Sequence, residues 1–310
     1  MARKKKRARS SNATPLLVIA LLLGLAVAWA IVSRTHRAVH RSAPRGTTVA
    51  QASPSPAQPA GAATPLQSPA AQASPQVRAS TSPSVAPSEN PNGVQVAIII
   101  DDCGQWLSTE RGYLALPIPL TLSVLPHVTY TAQIAKEAAD AGKGVMLHLP
   151  MEPLSHVNPG PGEIKTAMTD DAISKQTEDD VAQVPLAKGV NNHEGSEASA
   201  DARVMKDVIG VVKAHDLFFI DSRTNAKTVG AEQAQDAGVP NASRDVFLDN
   251  QADVAYTESM LERTVAIAKR NGSAIAIGHP KPTTLAALRD MYPKMEAAGV
   301  HFVLASDLVH

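Results

Sequence analysis

From Val94 onward, short apolar runs alternate with longer stretches whose apolar residues recur every three or four positions. The runs "VQVAIIIDD", "PLTLSVLP", "KGVMLHLPME", "LFFIDSRT" and "SAIAIGHP" read as buried strands. "AKGVNNHEGS" contains a strand end, "ASRDVFLDN" reads as a short strand, and "VHFVLASDLV" closes the chain. The apolar residues are continuous rather than alternating, as in parallel strands covered on both faces. The stretches between them have helical spacing. "TAQIAKEAADAG" stops on a glycine, and "DDAISKQTEDDVAQV" stops before Pro185. "ASADARVMKDVIGVVKAHD" starts near Ser199, the expected N-cap. "TVGAEQAQDAG", "VAYTESMLERTVAIAKRNG" and "TTLAALRDMYPKMEAAG" complete the set. About seven strand–helix alternations predict an α/β fold, either barrel-like or doubly wound. Both architectures gather functional residues where strands end and loops begin.

The first 92 residues have a different texture. Pro15–Val32 is an 18-residue run without a charge. At about 1.5 Å per residue it nearly spans a ~30 Å hydrocarbon core. Six Lys/Arg precede it, against four spread over Arg34 to Arg45, which favours a cytoplasmic N-terminus and export of the rest. Residues 1–14 therefore read as a basic cytoplasmic segment and 15–33 as a transmembrane signal-anchor. The expected location is the inner or plasma membrane, single-pass, with the folded domain on the periplasmic or extracellular side. A cleaved signal peptide is the rival, because Ala28-Trp29-Ala30 resembles a small-x-small cleavage site. Residues 34–92 are rich in Pro, Ala, Ser and Gln and lack the large apolar side chains that would offset ordering entropy. They read as a disordered tether to a domain at 93–310.

Charge sharpens this division. Formal net charge is zero over 310 residues, but residues 1–92 hold 11 of the 29 Lys/Arg and only one of the 29 acids. The remainder carries 18 basic residues against 28 acidic ones, and it shows no basic stripe suited to nucleic acid. The single cysteine, Cys103, excludes an intramolecular disulfide and reads as a small buried filler.

The chemistry sits where the apolar runs stop. Asp101 and Asp102 end the first run, and His148 stands in "VMLHLPMEP" with Glu152 four residues on. Asn191, Asn192 and His193 stand in "GVNNHEGS", Asp221 and Arg223 follow "LFFI", Asp249 follows "VFL", and His279 follows "AIAIG". In a parallel sheet these positions share one rim. Of two adjacent aspartates, one can bind a divalent cation, which offsets their repulsion, while the other stays free to accept a proton. Two histidines and an aspartate are a common set for a catalytic zinc with an open position. Asp102, His148 and His193 are the three candidates, and His279 is the candidate general acid. Each has a plainer reading. An Asp-Asp pair is usually a solvated turn, an Asn pair is usually a turn, and a lone strand-end histidine is usually structural. His215 ends a predicted helix, where a cation suits the dipole.

These stretches resemble, in order along residues 94–309, the divergent polysaccharide deacetylase family, a distant branch of the NodB-homology carbohydrate esterases. "IIIDDCG", "GVMLHLPMEP", "GVNNHEGS", "RDVFLDN" and "AIAIGHPKPTTLAAL" carry the resemblance. It implies a distorted (β/α) barrel of about seven mostly parallel strands. It also implies that Asp101 is the base, Asp102 a metal ligand and His279 the general acid. The wider superfamily places two metal-binding histidines four residues apart. Here His148 matches the first, but Glu152 stands in the second place, so either Glu152 or, preferably, His193 completes the set. The superfamily's arginine motif near this loop is not evident, and Asn191 and Asn192 occupy that stretch. The implied activity is metal-dependent, most simply zinc-dependent, removal of acetyl groups from cell-envelope carbohydrate. The alternative is an inactive carbohydrate-binding or scaffolding module on the same fold. Asn192, Arg223, Asp221 and Asp249 are the expected substrate-binding residues.

Overall fold

The computed structural model describes residues 93–310; the basic segment, signal-anchor and tether expected at 1–92 lie outside them. Strand β1 (Val94–Cys103) is followed by α1 (Leu107–Leu114), β2 (Thr121–Val124), α2 (Thr131–Asp140), β3 (Gly144–Met151), α3 (Asp170–Gln183) and β4 (Gly189–Glu194). Next come α4 (Ala202–Ala214), β5 (Phe218–Asp221), α5 (Gly230–Ala237), β6 (Asn241–Ser243) and β7 (Val246–Phe247). The chain ends with α6 (Val254–Asn271), β8 (Ser273–Gly278), α7 (Pro282–Ala297) and β9 (Val300–Val303). Among the described residues no helix is long and apolar enough to cross a membrane.

The strand pairings are parallel and follow the order β6-β5-β4-β3-β2-β1-β8-β7, with β9 beside the start of β1. The two ends of this sheet, β6 and β7, are joined by Arg244 and Asp245 alone. That link reaches about 11 Å at most. Eight strands laid flat at ~4.8 Å spacing would hold the ends more than about 30 Å apart. The sheet must therefore curl on itself. It curls into an open, parallel α/β half-barrel that fits the distorted barrel the resemblance implies, with β6 and β7 linked through the chain and not by a strand pair. It has nine strands rather than about seven. The stretch "ASRDVFLDN" contributes two very short ones, broken at Arg244-Asp245 where the chain crosses from β5's side to β8's.

Strand periodicity divides the apolar residues into two layers. Val96, Ile98 and Ile100 of β1, with Leu147, Leu149 and Val190, pack outward under the helices. Ala97, Ile99, Met146, Phe218, Ile220, Ile275 and Ile277 pack inside the barrel. The last turn of the chain fills the end of that interior near the strand starts. Leu308 and Ala305 join the inner cluster, and His310 exchanges backbone hydrogen bonds with Asn241 at the start of β6. Each such buried leucine, isoleucine or phenylalanine contributes about 1.5–3 kcal/mol relative to exposure.

One element carries no sequence signal, and one cap differs from expectation. Helix α1 has no apolar stripe in sequence, because its buried residues are Glu110 and Tyr113. Helix α4 is capped by Asp201, not Ser199: Asp201 Oδ1 accepts from the N–H groups of Arg203 and Val204 at 2.9 and 3.1 Å. Ser199 lies in the short 3₁₀ turn just before it.

Candidate active site

The same periodicity aims the polar strand ends. In β1, Asp101 continues the inward set of Ala97 and Ile99 and is almost fully buried. Strict alternation would then send Asp102 outward and Cys103 inward. A bulge intervenes: the register to β2 shifts between Ile100 and Cys103, and Asp102 adopts φ +57°. Cys103 consequently joins the outer layer and Asp102 turns to the barrel rim. His148 follows Met146 on the inner face of β3, and Asn191 and His193 share the inner face of β4. In the ladder His148 pairs with Asn191, and Pro150 with His193. His279 follows β8 in step with Ile275 and Ile277.

Asp102 Oδ1, His148 Nε2 and His193 Nδ1 form a tight triangle. The oxygen lies 3.2 Å from His148 and 2.9 Å from His193, and the nitrogens are 3.1 Å apart. A tetrahedral ion with ~2.0–2.1 Å bonds needs ligand atoms about 3.3 Å from one another. Asp102 Oδ1 is buried and has no well-directed hydrogen bond despite its two close nitrogens. An orphaned carboxylate oxygen facing two imidazole nitrogens is the arrangement a divalent cation would complete. The tautomer of His148 agrees. Its Nδ1 lies 2.8 Å from Asn191 Oδ1, which can only accept, so Nδ1 carries a proton, and Nε2, facing Asp102, is the nitrogen left to bind a cation once it is deprotonated.

Asn191 organises this layer. Its Oδ1 also accepts from Ser123 Oγ at 2.5 Å, and its Nδ2 donates to Asp101 Oδ1 at 2.9 Å and Ser222 Oγ at 3.1 Å. One amide thus orients both an acid and an imidazole. Asn191→Leu, close in size but without those bonds, is expected to weaken metal binding roughly 10- to 100-fold, read by competition against a chromogenic chelator.

The two adjacent aspartates are driven apart. Burial pushes the Asp101 carboxyl above its ordinary range, against the lowering influence of His148, His279 and the Asn191 bond. Burial acts to raise Asp102 too, but the close approach and charge of the His148 and His193 imidazoles outweigh it and hold that carboxylate well below the usual range. Burial opposes the charged form of His148, yet Asp101 and Asp102 push it up to about 8. At neutral pH Asp102 is a firm anion, while Asp101 is the acid more ready to take a proton.

His279 has a carboxylate behind it. Its Nδ1 lies 2.9 Å from Asp249 Oδ1, and its backbone N–H donates to Asp249 Oδ2 at 2.8 Å. Thr284 Oγ1 donates to the same Oδ2 at 2.8 Å. The His279 Nε2 atom faces Asp102 Oδ2 at 3.8 Å. Burial alone would lower the pKa of His279; the Asp249 bond and the charges of Asp102 and Asp101 raise it instead. Tyr113 Oη reaches the backbone oxygens of His279 and Lys281 at 3.0 and 3.1 Å, fixing the turn that carries the imidazole. Asp102 and His279 open into a groove of about 740 Å³, walled by Trp106, Phe247, Glu194 and Lys281.

The barrel thus brings together Asp101, Asp102, His148, His193 and His279. The remaining expected residues fall elsewhere. Glu152 is not in the Asp102 triangle: its Oε2 accepts from the N–H and hydroxyl of Thr166, and that bonding holds it below its ordinary range. Asn192 and Asp221 sit on the outward phase of their strands and are engaged by the neighbouring loops. Asn192 bonds the Ser222 N–H, the Glu194 oxygen and Thr224 Oγ1. Asp221 bonds the Arg223 N–H, Thr228 Oγ1 and the Ala231 N–H. Arg223 is exposed at φ +52°, outside the groove's lining. Asp249 does reach the groove, but its carboxylate is engaged by His279 and Thr284. Sequence reasoning missed the bridging role of Asn191, although its spacing two before His193 places both on one face. It also missed Trp106, Phe247 and Tyr113.

A sequence model of the family described as divergent polysaccharide deacetylase matches residues 98–309. The chain is similar to the uncharacterized protein YibQ of Escherichia coli, 36% identical over 197 residues, covering 64% of this chain and 62% of YibQ. It is also similar to an uncharacterized protein of Haemophilus influenzae, 33% identical over 195 residues, covering 63% of this chain and 70% of that one. More than a third of YibQ therefore lies outside the match. Among solved structures, an uncharacterized protein from Agrobacterium tumefaciens superposes with a TM-score of 0.68 at 24% identity, over 70% of this chain and 89% of that one. That likeness speaks to the fold.

Proposed function

The chain belongs to the divergent polysaccharide deacetylase family, and on that premise we propose that it is a metal-dependent hydrolase removing acetyl groups from a cell-envelope polysaccharide. The observation that carries this reading is the orphaned Asp102 oxygen facing His148 and His193, with a buried acid beneath it and an aspartate-backed histidine beside it. Asp102 Oδ1, His148 Nε2 and His193 Nδ1 would hold the ion. A zinc-like ion there would supply a Lewis acid for the acetyl carbonyl and bring the pKa of water down to about 7.

The chain's own groups divide the proton traffic. Asp101, raised by burial, accepts the proton lost by the attacking water. His279 holds a proton on Nε2 at the groove and gives it to the departing amine or alkoxide. Asp249 keeps Nδ1–H directed away from the groove and stabilises the imidazolium. The proposed setting is the exported side of the inner or plasma membrane, with Pro15–Val32 as the anchor and residues 34–92 as the tether.

The test is acetate release from peptidoglycan and from N-acetylglucosamine oligomers by the purified full chain. Metal content is measured alongside, before and after dipicolinate treatment and zinc re-addition. The reading requires about one ion per chain, with activity lost on stripping and regained on reloading. Bound ion without acetate release from any of these glycans would move the protein to the class of inactive carbohydrate-binding modules.

A further inference from the structure

We propose that Trp106 is the platform on which a pyranose ring of the bound glycan stacks, an assignment that rests on the substrate class proposed above. Trp106 is 50% exposed. Three other large apolar side chains among the described residues are comparably exposed, Leu154, Val157 and Leu186, and none of them lines the groove that holds Asp102 and His279. An indole is costly to leave in water, and its flat face and polar edge suit a ligand that is itself part apolar and part polar. A sugar ring has that character: axial C–H bonds make one face apolar, and hydroxyls ring its rim.

The position is built to stay still. The backbone N–H groups of Gly104, Gln105 and Trp106 all donate to one oxygen, Glu110 Oε1, at 2.9, 3.0 and 2.8 Å. Glu110 is fully buried. The Trp106 carbonyl in turn accepts from the N–H groups of Thr109 and Glu110 at 2.9 and 3.1 Å. A tryptophan on a loose loop would lose more of its gain on binding to the entropy of ordering the loop; here the backbone part of that ordering is already in place. The turn starts two residues after Asp102, so the indole is tied to the same segment as the candidate metal ligand. Phe247 provides a second aromatic wall. Its ring lies 5.1 Å from the His279 imidazole, and the Arg244 guanidinium sits 5.2 Å over it. Two aromatic side chains flanking the reactive groups fit a neutral pyranoside better than a flexible acyl chain.

The chain has two tryptophans, Trp29 and Trp106. In the full chain carrying Trp29→Phe, Trp106 is therefore the sole indole emitter. Asp101→Asn is added to prevent turnover, and the probe is the N-acetylglucosamine tetramer. The expected result is a saturable change in emission that tracks the calorimetric isotherm. Trp106→Ala should weaken the dissociation constant about tenfold or more, and Trp106→Phe by only about threefold. The alanine variant should fold, since the Glu110 bonds are to backbone; its Tm should stay within about 2 °C of the parent. Unchanged emission at calorimetric saturation, an alanine variant binding within twofold of its parent, or no binding of the tetramer would each overturn the assignment. Tetramer binding through Trp106 without acetate release by the wild type would sink the deacetylase reading and leave this one standing. Acetate release with an unaltered KM in Trp106→Ala would do the reverse.

Discussion

Asp102→Ala is expected to lose both the bound ion and all deacetylation, whereas Asp101→Asn keeps about one ion per chain and loses roughly 10²- to 10⁴-fold in kcat. The two acids are neighbours in sequence but occupy different layers. Asp102 is turned to the rim by the bulge and presents an oxygen with no hydrogen bond to His148 and His193. Removing it deletes one corner of the triangle and leaves two nearby imidazoles without their anion. Asp101 lies below, its Oδ1 accepting from Asn191 Nδ2 and its Oδ2 3.6 Å from His148 Nε2. Asparagine at this position keeps the acceptor oxygen for Asn191 but cannot take a proton. Metal analysis beside single-turnover rates separates the two roles. Loss of the ion from both variants would make Asp101 part of the metal site, and full activity in Asp101→Asn would remove it from the reaction.

The inner face of the barrel explains how much of this site was legible in the sequence. A parallel strand has period two, so Asp101 falls in phase with Ala97 and Ile99, His148 with Met146, and His279 with Ile275 and Ile277. Apolar runs ending on these residues were enough to collect them at one rim. The same count would have turned Asn192 and Asp221 outward, since Asn191 and Ile220 face in. Their chemical type suits sugar binding but their phase does not, and the structure engages both in loop bonds. Asp102 escapes the count because its position depends on a bulge and a positive φ, a distortion that neither propensity nor periodicity encodes. The preference for His193 over Glu152 is already available from the loop around His193; the structure adds the reason, since Glu152, on the neighbouring strand end, is engaged by the bonds from Thr166. Contacts across long sequence gaps were the least legible. Tyr113 meets His279 across 166 positions, and the helix that carries it buries a glutamate and a tyrosine where a pattern reader looks for an apolar stripe.

Removing the carboxylate behind His279 should move the pH profile as well as lower the rate. His279→Ala is expected to cost roughly 10²- to 10⁴-fold in kcat, the usual worth of a general acid. Asp249→Asn leaves the imidazole in place and tests its protonation instead. Asp249 has no exposed surface, and although burial opposes its charge, the bonds from His279 and Thr284 hold its pKa below the ordinary range, so it is an anion throughout the working pH range. Its hydrogen bond raises the pKa of His279. A general acid acts only while protonated, so activity falls as pH rises through that pKa. Losing the anion lowers the pKa, and the descending limb of the profile must therefore move to lower pH, with the loss in kcat growing from acid to alkaline conditions. The ascending limb, which follows deprotonation of Asp101, should stay where it is. An unsupported imidazole can also take the other tautomer, which adds a pH-independent drop of about tenfold or more. A profile of kcat against pH for wild type and Asp249→Asn decides the matter: a uniform drop with both limbs in place would mean that Asp249 only positions the ring, and an alkaline limb moving upward would remove His279 from the role of proton donor.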